Sequence, residues 1–320
     1  MSRDAFLPTF VAGWQKWVAE GIKFFYFYYI SMKIQELLQD PKIQQKRVME
    51  NLICHFLDIS REDLWTKLDN EIDTDIEAKI MQAYDDFVVK KKPLEYVLGY
   101  VEFLRNKFKI DERALIPRPE TEYMIQAVNE HIQSWKISQP AVLFDIGTGC
   151  GVLWLSVLLH NKDFFEKAYL SEYIEYTLSL ARENFESYKS KFWNTKVDLV
   201  QSNLISFAWD CLKNNEISDK ENFLLVANLP YIPEQTFNEN VWENVKNWEP
   251  KHAFVGGEDW LDYYREMFQQ LFDFWIKPIM FLEMMTRQVD ILRKEFWEKI
   301  NFDEVKTFHF NIRIVKAEIK

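Results

Sequence analysis

The residues best suited to chemistry fall in four short segments. The first is Val142-Leu143-Phe144-Asp145-Ile146-Gly147-Thr148-Gly149-Cys150-Gly151. An apolar run enters a turn with glycine at alternate positions, and a helical pattern follows. Glycine permits the tight turn and lets a ligand approach the main chain. The start of the next helix offers free N–H groups and the positive end of its dipole, which suit a carboxylate or phosphate. The second is Glu172, at the end of the next apolar run, where a carboxylate can accept both hydroxyls of a ribose. The third is Asn203 with Leu204, just after the run 196–200. The fourth is Asn228-Leu229-Pro230-Tyr231, directly after the run 223–227. An amide or aniline-like nitrogen is a poor nucleophile because its lone pair is delocalised. The Asn228 side-chain oxygen and a backbone carbonyl can accept its two N–H groups and aim the lone pair, while Tyr231 stacks on the flat group. Such a site works by positioning and electrostatics and needs no strong base.

These groups need a scaffold that brings distant segments together. Strands are predicted over 141–146, 167–170, 196–200, 223–227 and 279–283, with helices through His160, through Tyr188 and over 286–298. Strands alternating with helices imply a parallel sheet covered on both faces. The tail, 304–310 and 311–319, reads as a hairpin closing one sheet edge. Upstream, 100–110 reads as a second hairpin. It precedes Ile116-Pro117-Arg118-Pro119-Glu120-Thr121-Glu122, where two prolines impose an extended, stiff path. Thr121 or Glu120 is expected to cap a helix through Met124, Val128 and His131. Residues 1–90 read as helices. Asp40-Pro41 is a start signal, Val48, Leu52 and Phe56 form an apolar stripe, and Ser60 with Asp63 and Thr74 with Glu77 suit capping boxes.

The chain has 320 residues, enough for a large and a small domain. The divisions expected are 1–90, a helical substrate-recognition domain; 91–115, a linking hairpin; and 116–320, the domain that carries the chemistry. A net charge of −11 counts against a protein that grips nucleic acid through its phosphates. Cys54, Cys150 and Cys211 are odd in number and widely spaced, which suggests reduced thiols and neither a disulfide framework nor a zinc site. The apolar stretch Phe24 to Ile30 is preceded by Lys16, Glu20 and Lys23, too interrupted to span a membrane. It reads as a buried amphipathic helix. A cytoplasmic location follows as an expectation.

Together these residues resemble the protein-(glutamine-N5) methyltransferases of the HemK/PrmC type. The glycine turn matches motif I of class I methyltransferases, with a spacing unlike the GxGxxG of dinucleotide binders. The most specific match is the segment Ile116–Glu122. Pro93-Leu94-Glu95-Tyr96-Val97-Leu98-Gly99, Glu249-Pro250, Gly256-Gly257, Tyr264-Arg265 and the late-strand acid Glu283 extend it. The resemblance implies an α/β fold: a class I methyltransferase Rossmann-like sheet with a C-terminal antiparallel hairpin, plus a small α-helical N-terminal domain. It implies S-adenosyl-L-methionine as cofactor, held by Gly147, Thr148, Gly149, Cys150, Gly151, Glu172, Asn203, Leu204 and Asn228. It implies that Asn228, Leu229, Pro230 and Tyr231 hold the substrate, with Asn228, Pro230 and Tyr231 catalytic. The substrate implied is the glutamine of the Gly-Gly-Gln motif in class I peptide-chain release factors. A monomer is expected, with no metal, no membrane and no direct nucleic-acid binding. Two alternatives stay open: an N6-adenine methyltransferase on RNA or DNA, and an inactive methyltransferase-like module that binds release factors or ribosomes.

The chain departs from the family pattern at a few positions. Leu229 replaces the usual first proline of Asn-Pro-Pro-Tyr, a spelling better known in rRNA adenine dimethylases. Glu172 and Asn203 each stand where Asp is more usual, and Trp260 stands where glycine is usual. Glycine is also scarce, with 8 residues against 12 tryptophans. Two readings stay open: some of these tryptophans are glycines in the source organism, encoded by a UGA codon decoded differently there, or the positions have simply drifted; a TGG codon for Trp260 would end the first at that position.

Overall fold

The computed structural model describes residues 31–134, 141–218, 222–257, 260–307 and 312–320. The N-terminal amphipathic helix expected around Phe24 to Ile30 lies outside the described residues. Two compact units divide between Tyr84 and Asp85.

The first unit holds β1 (Met32–Lys33), α1 (Ile34–Gln39), α2 (Lys46–Leu57), α3 (Arg61–Thr66), β2 (Glu71–Ile72) and the start of α4 (Thr74–Val88). The two-residue strands β1 and β2 pair antiparallel, an addition to the helices predicted there that is too short to leave a periodic signal. α2 buries Met49, Leu52 and Ile53, a face rotated slightly from the stripe Val48, Leu52, Phe56. Asp40-Pro41 is a turn and not a helix start. Asp40 closes α1, its carboxylate accepts the Lys42 N–H at 2.9 Å, and the next helix begins at Lys46. Proline's fixed φ serves a turn as well as a first helical residue. Ser60 does cap α3, accepting the Asp63 N–H at 3.0 Å. For α4 the capping carboxylate is Asp73, on the Asp75 N–H at 2.8 Å, so Thr74 is already helical.

The second unit opens with α5 (Leu94–Leu98) and the hairpin of β3 (Tyr100–Phe103) and β4 (Asn106–Lys109), followed by α6 (Glu122–Gln133). Then come β5 (Ala141–Ile146), α7 (Val152–His160), β6 (Phe165–Glu172), α8 (Glu175–Tyr188), β7 (Lys196–Gln201) and α9 (Ala208–Lys213). The chain continues through β8 (Asn222–Ala227), α10 (Glu234–Asn240), α11 (Glu243–Trp248), α12 (Asp262–Phe274), β9 (Ile279–Met285), α13 (Thr286–Glu295), β10 (Ile300–Thr307) and β11 (Ile312–Ile319). One seven-stranded sheet has the order β10-β11-β9-β8-β5-β6-β7. β9, β8, β5, β6 and β7 run parallel, and β11 pairs antiparallel with both β9 and β10. This is the parallel sheet expected from the sequence, with the antiparallel C-terminal hairpin at one edge.

Every residue of β5 is buried, as a central strand covered on both faces requires. Leu143 joins the core built with Met124, Leu153 and Leu180 from α6, α7 and α8. Val142, Phe144 and Ile146 join the opposite core, with Met267, Leu271 and Val289 from α12 and α13. α13 ends at Glu295, short of the expected 298, because Phe296 turns inward to pack edge-on against Phe268 at 5.3 Å. Chain order reverses between β5 and β8. Sheets of this kind form a ligand crevice at the carboxyl ends of the strands at such a reversal.

Candidate active site

Both strands flanking that reversal end in the segments singled out from the sequence. After β5 the chain turns through Gly147, Gly149 and Gly151, all at positive φ of 70°, 56° and 84°. Side chains rarely adopt this conformation, which accounts for the alternate glycines. The Gly147 and Thr148 N–H groups donate to the Ser171 carbonyl at 2.9 and 3.0 Å, tying the turn to β6. Thr148 Oγ1 donates to Asp145 Oδ2 at 2.7 Å. Burial pushes the Asp145 carboxyl up to about 7. The Gly149 N–H donates to Glu172 Oε2 at 3.1 Å, and the Ile174 N–H to Oε1 at 3.1 Å. Burial raises the Glu172 carboxyl too, opposed by these backbone bonds.

The Asn228 side follows from strand register. Ala227 of β8 is level with Leu282 of β9, so Asn228 and Glu283 stand side by side one residue further on. Glu283 is 1% exposed. Its Oε2 accepts from Thr121 Oγ1 at 2.9 Å and its Oε1 from Tyr231 Oη at 3.2 Å. Asn228 Nδ2 donates to Thr121 Oγ1 at 3.5 Å. Burial pushes the Glu283 carboxyl up, and hydrogen bonds from Thr121, Tyr231 and Asn228 pull it back. Thr121 therefore makes no cap for α6; the buried carboxylate takes its hydroxyl instead. A second buried acid, Glu249, accepts the Ile116 N–H at 3.0 Å and Arg118 Nη2 at 2.7 Å. The segment Ile116–Glu122 is thus held at both ends by carboxylates from elsewhere in the unit.

These segments enclose a cavity of ≈ 410 Å³, within the usual range of small-molecule sites. Gly147, Thr148, Gly149, Cys150, Glu172, Asn203, Leu204, Asn228, Leu229 and Pro230 line it. Gly151 and Tyr231 do not. Gly151 is the residue before α7, packed where a Cβ would come within 2.8 Å of Trp154 Nε1. Tyr231 turns its hydroxyl to Glu283. The Asn203 amide donates to Glu266 on α12, and Leu204 sits at φ 51° with its carbonyl accepting from Ser171 Oγ. All three cysteines are free; Cys150 is buried, which pushes its thiol up to about 12.

The residues fit a nucleoside cofactor with an amino-acid tail. Space over Gly149 is open, with no heavy atom within 4 Å of a Cβ built there. Each Glu172 oxygen accepts one protein N–H and keeps a lone pair for a ribose hydroxyl. Sequence reasoning missed three contributors. The sequence offers Thr121 or Glu120 as a cap, and Arg118 and Glu249 only as motif matches. An acid within an apolar strand, as in Phe281-Leu282-Glu283-Met284, is the one local signal that a buried polar cluster lay nearby.

No family model matches the chain. Curated relatives do. A release factor glutamine methyltransferase of Bacillus cereus is 32% identical over 222 residues, covering 69% of this chain and 73% of the relative. Another, of Streptococcus pneumoniae, is 31% identical over 249 residues, covering 76% and 81%. Among solved structures, the N-terminal domain of human METTL16 in complex with SAH aligns with a TM-score of 0.47 and 15% identity, over 73% of this chain and 93% of that one. At that distance it bears on neither substrate nor site. On the strength of the curated relatives, the chain belongs to the release factor glutamine methyltransferase family.

Proposed function

We propose that this protein transfers a methyl group from S-adenosyl-L-methionine to the side-chain nitrogen of the glutamine in the Gly-Gly-Gln motif of a class I release factor. The observation that carries it is the meeting of the glycine turn and Asn228-Leu229-Pro230 on one cavity, in a chain related to enzymes of that name.

In this reading Gly147 to Cys150 and Glu172 hold the cofactor, whose sulfonium supplies an electrophilic methyl. Asn228 Oδ1 accepts one N–H of the glutamine amide, and a backbone carbonyl of Leu229 or Pro230 accepts the other. With both N–H groups held, the amide nitrogen would be fixed facing the side of the cavity lined by the glycine turn; the incoming methyl would replace one N–H proton, which leaves to solvent. Aligning the reactants in a closed site is worth several orders of magnitude in rate, without a base of high pKa. Leu229 supports the same role as the usual proline through its backbone. Its side chain is buried and packs toward Gly147, where a Cβ would lie 2.9 Å from Leu229 Cδ2.

The test is methyl transfer from labelled cofactor to a purified release factor, beside its Gly-Gly-Gln glutamine-to-alanine variant and a nucleic-acid control. Label confined to the wild-type factor is expected. Label on the nucleic acid would move the protein to the adenine class, and cofactor binding without any label would make it a binding module.

A further inference from the structure

We propose that Glu283 is a positioning residue that fixes which end of the Asn228 amide faces the cavity, and so makes the site select an N–H donor. The inference rests on the reading of Asn228 as the acceptor of the substrate amide.

An ionised carboxylate can only accept hydrogen bonds. Glu283 is shut away from solvent, so its partners must be protein donors. Thr121 Oγ1 and Tyr231 Oη supply one each, at 2.9 and 3.2 Å, and the Asn228 amide nitrogen faces the same carboxylate. The Thr121 hydroxyl has a single proton, and Glu283 takes it. Thr121 can then only accept from the neighbouring amide, and Asn228 Nδ2 donates to it at 3.5 Å. An Asn228 amide turned the other way would set its oxygen against two acceptors with no proton between them. Glu283, acting on the Asn228 amide nitrogen directly and through Thr121, therefore orients the amide, leaving Oδ1 on the cavity side. Thr121 and Asn228 both line the cavity, and Glu283 does not.

The consequence concerns substrate class. A site that offers an oxygen acceptor binds a carboxamide or amine N–H. It repels a carboxylate, so a glutamate in place of the target glutamine is refused at binding and not merely left unreacted.

The experiment is a double-mutant cycle on the full-length protein, with turnover, equilibrium cofactor binding and thermal midpoint measured for each variant. Glu283→Gln places an N–H₂ donor where only acceptors stood. It is expected to lower kcat by about tenfold or more with cofactor affinity within about twofold of wild type. In an Asn228→Ala background the same change is expected to alter kcat by less than about twofold, because Glu283 acts through Asn228. Thr121→Val should reproduce part of the loss by removing the hydroxyl between Asn228 and Glu283, and Thr121→Ser should restore most of the activity. Equal losses from Glu283→Gln with and without Asn228 would overturn the proposal. So would a matching loss of cofactor affinity, or a Thr121→Ser variant as weak as Thr121→Val. If Glu283→Gln fails to fold, the Thr121 pair decides. If wild-type protein methylates the nucleic-acid control and not the release factor, the glutamine reading fails alone, and the same cycle run on that substrate still judges Glu283.

Discussion

Arg118 Nη2 lies 2.7 Å from Glu249 Oε1, a contact across 131 residues of sequence. Arg118 is partly open to the cavity, while the Glu249 side chain is 1% exposed. The pair pins the proline-stiffened segment Ile116–Glu122 beside the Asn228 loop. A buried carboxylate that loses its cation is costly, whereas removing both charges costs much less. Arg118→Ala is expected to lower stability to denaturant by about 1–3 kcal/mol. Adding Glu249→Gln should recover part of that loss. Urea unfolding of the single and double variants checks this, and a double variant less stable than Arg118→Ala would contradict it.

Gly256 reports on the same loop from the other side. A Cβ there would lie 2.2 Å from the Pro230 carbonyl oxygen. Gly256→Ala must therefore displace the Asn228-Leu229-Pro230-Tyr231 segment. Misplacing a reacting group by a fraction of an ångström is expected to cost about tenfold or more in turnover, with a smaller effect on cofactor affinity because Gly256 itself does not line the cavity. Side-by-side turnover and cofactor-binding measurements test this.

Asp145 gives a pH dependence of known sign. Burial raises its carboxyl from 3.8 to about 7. The folded protein therefore holds this proton over a range where the unfolded chain has released it. The stability associated with the neutral acid is complete below about pH 4 and is lost as pH rises through about 7. Asn at this position can still accept from the Thr148 hydroxyl and never ionises. Asp145→Asn is expected to raise the thermal midpoint at pH 8, by about 1 kcal/mol or more in stability, with a smaller gain at pH 5. Equal effects at both pH values would show that ionisation of Asp145 is irrelevant.

Two tryptophans occupy backbone conformations that suit glycine. Trp275 follows the last turn of α12 at φ 59° and is 78% exposed, and Trp260 sits at φ 63°. The left-handed residue after a helix is most often glycine. Trp275→Gly is expected to stabilise the protein by about 0.5–1 kcal/mol. Trp260→Gly should gain less, since it forfeits the stack of Arg287 on the indole at 5.4 Å. Thermal melts of the two variants, read beside the codons at these positions, test the decoding idea directly.

What the sequence made legible was what is local. The alternate glycines after β5 and the Asn228 segment after β8 are runs of adjacent residues at strand ends, where alternation of strand and helix had already put a ligand crevice. The class of sheet, the terminal hairpin and the hairpin of β3 and β4 follow from periodicity alone. Partnerships across long separations were out of reach. Thr121 looks like a helix cap because the cap and the buried acid compete for one hydroxyl, and only the fold reveals that Glu283, 162 residues away, wins. Asp40-Pro41 and Thr74 read as helix starts in the sequence because turn and helix start share the same residue preferences.

The most direct measurement is peptide mass spectrometry of a release factor after incubation with cofactor and enzyme, comparing wild type with Asn228→Ala. One added methyl on the side chain of the Gly-Gly-Gln glutamine, formed by wild type and slowed by about a hundredfold or more in the variant, is the predicted result. A methyl on any other residue, or an Asn228→Ala enzyme as fast as wild type, would contradict the account.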